Sequence, residues 1–96
     1  MEVKVWLQGR LGYNADNDRY GLLVSDLWEH DGFRCGEGLQ VKVNDEWVDT
    51  RMELGPDGWY LVDTPYRGDD LEYVSARIKR WLDTQHWDTD NMERCD

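Results

Sequence analysis

The sequence predicts a small, mainly β domain: an antiparallel meander or an SH3-like barrel of five or six strands, with room for a C-terminal helix. Three observations carry this. Apolar and polar residues alternate with a period of two in several stretches. Clusters of Gly, Pro, Asn and Asp separate those stretches. Aromatic residues make up 12% of the chain, six of them Trp, and so many large rings ask for burial.

The elements follow in order. Val3, Val5 and Leu7 fall on one face of a strand, and Lys4, Trp6 and Gln8 on the other. Gly9 and Gly12 suggest a bend or bulge before Leu11 and Tyr13. Asn14 to Asp18 is a turn cluster, and residues 19–25 form a second strand, so 3–25 reads as a hairpin. Residues 26–38 show no clear period and are punctuated by Gly32, Gly36 and Gly38. They read as a long loop, of a length at which loops tend to be functional. Leu39, Val41 and Val43 point inward from the next strand, and Asn44-Asp45 is a tight turn. Over 46–54, Val48, Thr50, Met52 and Leu54 share one face, and Trp47, Asp49, Arg51 and Glu53 the other. Gly55-Pro56-Asp57-Gly58 turns the chain into a short apolar strand, Trp59 to Val62, and 63–70 is a further loop.

Residues 71–82 fit two periods. Leu71, Val74, Ile78, Trp81 and Leu82 make a helical stripe behind Asp69 or Asp70 as N-cap. Val74, Ala76 and Ile78 alternate as in a strand. By count the helix has the better match. Residues 1–82 are expected to form one compact β domain, and 83–96 an acidic, flexible tail.

Charge is the strongest functional lever. The 21 Asp and Glu against 11 Lys and Arg give a net charge of −10. That exceeds the roughly 2–8 units that suit a small soluble domain. Such a chain repels nucleic acid and anionic membranes, and it favours cationic protein surfaces. No signal-peptide pattern opens the sequence, so a cytoplasmic location is expected. Cys35 and Cys95 lie far apart, without a Cys-x-x-Cys, and read as free thiols. Among the tryptophans, Trp28 and Trp87 are the candidates for exposed anchors; the other four are assigned to the core.

His30 with Cys35 is the only nucleophile pair to consider, and no third group orients it. Zinc would need His30, Cys35, His86 and Cys95, two of them in the tail. Asn14, Asp16 and Asp18 begin like a calcium loop, but Arg19 follows where Gly is required. The glycines match no phosphate-binding fingerprint. Arg19, Arg34 and Arg51 read as partners for nearby acids. No catalytic residue, cofactor or metal is assigned, and the chain is not expected to be an enzyme.

Arg19-Tyr20-Gly21, Asp26-Leu27-Trp28, Gly32-Phe33-Arg34-Cys35-Gly36-Glu37, Trp47 with Arg51-Met52-Glu53, and Trp59-Tyr60-Leu61-Val62 together resemble a family of small bacterial domains of unknown function. The family is similar to domains of Gram-positive bacteria and their mobile elements, and the resemblance spans roughly residues 3–80. It implies a compact, mainly β domain in a phage or mobile-element setting, and it implies a closing strand from Tyr73 to Ile78. Arg34 stands where the family pattern leads one to expect His, which counts against a metal at Cys35.

The leading functional expectation is therefore a non-enzymatic acidic binding module, specifically an anti-defence inhibitor of anti-CRISPR type. Its partner-binding residues would be Asp26, Trp28, Glu29, Asp31, Glu37, Asp45, Glu46, Asp49, Asp69, Asp70 and Glu72. They would occupy the basic nucleic-acid groove of a nuclease, carboxylates standing in for phosphates. The alternative is an adaptor that docks a protein through an exposed Trp28 and Phe33 patch, with acidity serving solubility. An enzyme built on Cys35 and His30 ranks last.

Overall fold

The computed structural model describes the backbone of residues 2–83 and the side chains of residues 3–80. Seven antiparallel strands form one open sheet: β1 (Glu2–Asn14), β2 (Arg19–Val24), β3 (Leu27–His30), β4 (Gly38–Val43), β5 (Glu46–Gly55), β6 (Gly58–Leu61) and β7 (Ser75–Asp83). Their order across the sheet is β3-β2-β1-β7-β4-β5-β6. The mainly β class is as expected, but there is one strand more than the five or six foreseen, and the topology departs from a meander. The last strand inserts between the first and the fourth.

The hairpins read from the sequence are present. β1 and β2 pair from Arg10↔Leu23 to Asn14↔Arg19, and β4 and β5 from Gly38↔Arg51 to Val43↔Glu46. Asn14 caps its turn with its own side chain: Oδ1 accepts from the Asp16 N–H at 3.0 Å, and Nδ2 donates to the Asp31 carbonyl. This is a hairpin turn held by Asx bonds. The stretch 26–38 is not wholly irregular, because β3 runs inside it as an edge strand on β2. Positive φ at Ser25 and Asp26 makes the two-residue turn between them.

No helix forms over 71–82. Leu71 closes a 3-10 turn, Gly68–Leu71, and β7 follows. The stripe that resembled a helix is split by Tyr73, whose φ is 68°. Ala76 and Ile78 are buried on one face of β7, and Val74 just ahead of the strand is buried in step with them, as alternation requires. The closing strand runs on past Ile78 to Asp83. The remainder of the expected tail, with Trp87, His86 and Cys95, lies outside the described residues.

The core consists of Leu11, Tyr20, Leu22, Phe33, Leu39, Val41, Met52, Leu61, Leu71, Val74, Ala76 and Ile78. No Trp is in it. Trp6 is 39% exposed, and Trp47 is half-buried on the outer face of the sheet, so both depart from their assignment to the core. Their strand phase explains this: Trp6 is in step with Lys4 and Gln8, and Trp47 with Asp49 and Arg51. Trp59 packs against the core's margin, and its indole N–H donates to the Asp18 carbonyl. Phe33, expected as an exposed anchor, is fully buried and stacks on His30 at 4.3 Å.

Candidate functional site

β7 positions the site. Its register aligns Gln8 of β1 with Arg77, Arg77 with Gln40 of β4, and Gln40 with Asp49 of β5. These four side chains form a polar row across the outer face. Arg77 Nε donates to Gln40 Oε1 at 2.9 Å, and Gln40 Nε2 donates to Asp49 Oδ1 at 2.7 Å. Arg77 also lies between two rings. Its guanidinium carbon is 4.1 Å from the Trp6 centroid and 4.3 Å from that of Trp47. Lys79 stands over Trp6 at 4.8 Å and Lys42 over Trp47 at 5.4 Å. The planar guanidinium is suited to this double stacking, which an ammonium would not reproduce.

Alternation places Lys4, Arg10, Lys42, Arg51, Arg77 and Lys79 on this one face, against only two acids among the described side chains there, Asp49 and Glu53. Asp49 is hydrogen-bonded to Gln40, and Glu53 pairs with Arg51 at 2.9 Å. A strongly acidic chain thus carries a cationic, aromatic sheet face. Beside it runs an open groove of about 820 Å³ lined by Trp6, Arg77, Lys79, Gln40, Thr50 and Glu37, among others.

The acids singled out from the sequence do not share one element. Asp26, Trp28, Glu29 and Asp31 lie on or beside edge strand β3. Trp28 is 40% exposed and lies over Gly12 and Gly21, which face each other across β1 and β2. Glu29 pairs with Arg80 at 2.9 Å. Glu37 pairs with His30 at 2.6 Å and accepts the Arg34 N–H. Asp45 and Glu46 form the β4–β5 turn, and Asp49 sits in the row beside Gln40. β2, β1 and β7 lie between β3 and β4 in the sheet. Asp69 and Asp70 are in the 3-10 turn, and Glu72 accepts the Tyr13 N–H at 3.2 Å.

One corner does gather carboxylates. Tyr13 donates its hydroxyl to Asp18 and packs edge-on against Tyr20 at 5.4 Å. The bond to Asp18 is the main cause that raises the Tyr13 phenol above its usual value. Burial, followed by the charges of Glu72 and Asp69, raises that of Tyr20. Asp18, Asp69 and Glu72 therefore share one neighbourhood. Asp18 stands in the turn cluster and the incomplete calcium-loop pattern, outside the acids expected to bind a partner.

The proposed nucleophile pair has other commitments. His30 Nδ1 accepts the Gly32 N–H at 3.2 Å, so Nε2 carries the proton donated to Glu37. Cys35 is exposed in the loop that follows. Among the described residues, no group of three or more His, Cys, Asp and Glu could hold a metal. No helix among them is long and apolar enough to cross a membrane. Arg51 has the acidic partner expected of it, whereas Arg19 instead holds the Phe33 carbonyl at 3.2 Å and covers Trp59.

Trp6, Gln40, Trp47, Arg77 and Lys79 were not foreseen as a site. A signal existed in part, because each Trp stands in step with polar residues of its own strand. What joins them is the pairing of β7 with both β1 and β4.

No curated protein matches the chain. A crystal structure of a protein from Ruminococcus gnavus is similar, with 34% identity and a TM-score of 0.61, over 75% of this chain and all of that one. Residues 9–78 match the family model described as a domain of unknown function, DUF5348. Since that match spans most of the strands that build the sheet, the chain belongs to the DUF5348 family.

Proposed function

We propose that this protein is a non-enzymatic binding module that docks another protein on the outer face of its sheet. The observation that carries the reading is the Trp6–Arg77–Trp47 stack beside the open groove. Trp and Arg are the side chains most enriched where binding energy concentrates. Here Arg77 is held in advance by two rings and Gln40, so little ordering entropy is lost on docking. The surrounding lysines and arginines favour an acidic partner surface.

The adaptor reading thus keeps its class but moves its surface, because Phe33 is buried. A photo-crosslinking residue placed at Gln8, compared with one at Asp57, tests it in extracts of the native host. Capture at position 8 that is lost in Trp47→Ala supports docking on this face. Capture at position 57 only, or capture indifferent to Trp47, overturns it.

A second reading is favoured by the corner formed by Asp18, Asp69 and Glu72. It is the anti-defence inhibitor of anti-CRISPR type, in which carboxylates occupy a nuclease's basic groove. Pull-down of a host nuclease at low and high salt tests it, with Asp69→Asn and Glu72→Gln as variants. Binding that is indifferent to salt and to both changes overturns it.

A further inference from the structure

We propose that the free edge of β7 beyond Arg77 takes up an extended, acidic peptide segment by strand addition. This rests on the reading of the outer sheet face as a protein-docking surface, and it names the kind of partner and how it binds.

The backbone provides the edge. β1 pairs with β7 all the way from Arg10↔Ser75 to Glu2↔Asp83. On its other side, β7 pairs with β4 only at Gln40↔Arg77 and Val41↔Ala76. Past Arg77, no strand among the described residues covers that side. The Leu11 N–H donates to the Val74 carbonyl at 2.9 Å in the same register. Peptide groups alternate in direction along a strand, so those of Ala76, Ile78 and Arg80 turn to β1 and those of Lys79 and Trp81 turn away. Ahead of Gly38 the chain leaves β7 for β5: the Gly36 N–H donates to the Met52 carbonyl, and the Met52 N–H to that of Glu37. The groove of about 820 Å³ lies in the fork.

Unpaired edges of this kind are templates for an added strand. Side chains on either side then select the sequence. One side of the lane carries Arg77 and Lys79 with Trp6. The other carries Ile78, which is buried, and Arg80, which Glu29 holds, with His30 and Glu37 lining the same groove. An incoming strand alternates in the same way. It would present acids to Arg77 and Lys79, and β-branched residues to the margin of Ile78 and the stem of Arg80. A single-stranded nucleic acid fits less well. Such chains are held by bases stacking on bare rings. Here Trp6 already carries Arg77 and Lys79, and Trp47 carries Arg77 and Lys42.

The test uses the full chain and a capped heptapeptide, Glu-Val-Glu-Val-Glu-Val-Glu. Its controls are the same peptide N-methylated at alternate amides, a block arrangement of the same composition, and an oligodeoxythymidine. Amide exchange is read at Lys79 and Trp81. The expected result is protection of those amides by the alternating peptide, with at least about tenfold tighter binding than any control. Lys79→Glu should weaken it about tenfold. Equal binding of the methylated peptide or of the oligonucleotide overturns strand addition, as does the absence of binding at millimolar peptide. The two proposals separate cleanly. Loss of Trp47-dependent capture at position 8 removes the docking surface itself. Capture with the Lys79 and Trp81 amides unprotected removes only the strand.

Discussion

Replacing Arg77 by Lys keeps the charge and removes the plane. In the native sheet the guanidinium meets two rings at 4.1 and 4.3 Å and donates one hydrogen bond at 2.9 Å. Each partly exposed cation–π contact is worth about 0.5–1 kcal/mol. The half-exposed hydrogen bond to Gln40 adds only the ordinary value of about 1 kcal/mol, because water competes for the guanidinium there. An ammonium can approach one ring but cannot lie flat between two. The expected loss is about 2 kcal/mol, or roughly 8–16 °C in melting temperature for a domain of this length. Urea denaturation followed by Trp fluorescence measures it, with the slope m unchanged. A double-mutant cycle of Arg77→Ala with Trp6→Ala should return a coupling of about 0.5–1 kcal/mol. If Arg77→Lys lies within about 0.3 kcal/mol of the parent and the cycle shows no coupling, the stack contributes nothing. Arg77 is then not held ready for a partner either.

Other outcomes follow from packing and charge. Gly9→Ala would place a Cβ 1.9 Å from the Leu23 carbonyl oxygen, so β1 must move; calorimetry should show a loss of about 3 kcal/mol. Gly38→Ala meets nothing closer than 3.8 Å and should leave stability within about 0.5 kcal/mol of the parent. Phe33→Ala empties a fully buried site and should cost about 3–5 kcal/mol in urea. Because the folded state raises the Tyr20 phenol above 10, it favours the neutral form. That contribution is complete below the unfolded value and is lost as pH rises through the higher folded one. The urea midpoint should therefore fall at alkaline pH, and fall less in Tyr20→Phe.

Alternation was legible wherever a strand has one wet face. Val3-Val5-Leu7, Leu39-Val41-Val43 and the turns at Asn14, Asn44 and Gly55 placed both long hairpins from sequence alone. β3 was not legible, because Leu27 to His30 is an edge strand with little buried and so shows no apolar alternation. Residues 71–82 carried two periods at once. Local pattern could not choose between them, and the choice fell to the gap between β1 and β4 that a strand alone can fill. The tryptophans misled through composition, since large rings were assigned to the core while their own strand phase put Trp6 and Trp47 outside.

The amino-acid order by itself determined the strand class, the two long hairpins with their turns, and a surplus of negative charge. Tertiary structure decided where the charge goes. β7 joins β1 to β4 and lines six cations along one face, while the described acids fall mostly in turns and at strand ends or bond to their neighbours. The physical reason is distance along the chain. Gln8, Gln40, Asp49 and Arg77 have no local relation, and only the ladder hydrogen bonds of a strand inserted out of sequence order bring them into one row.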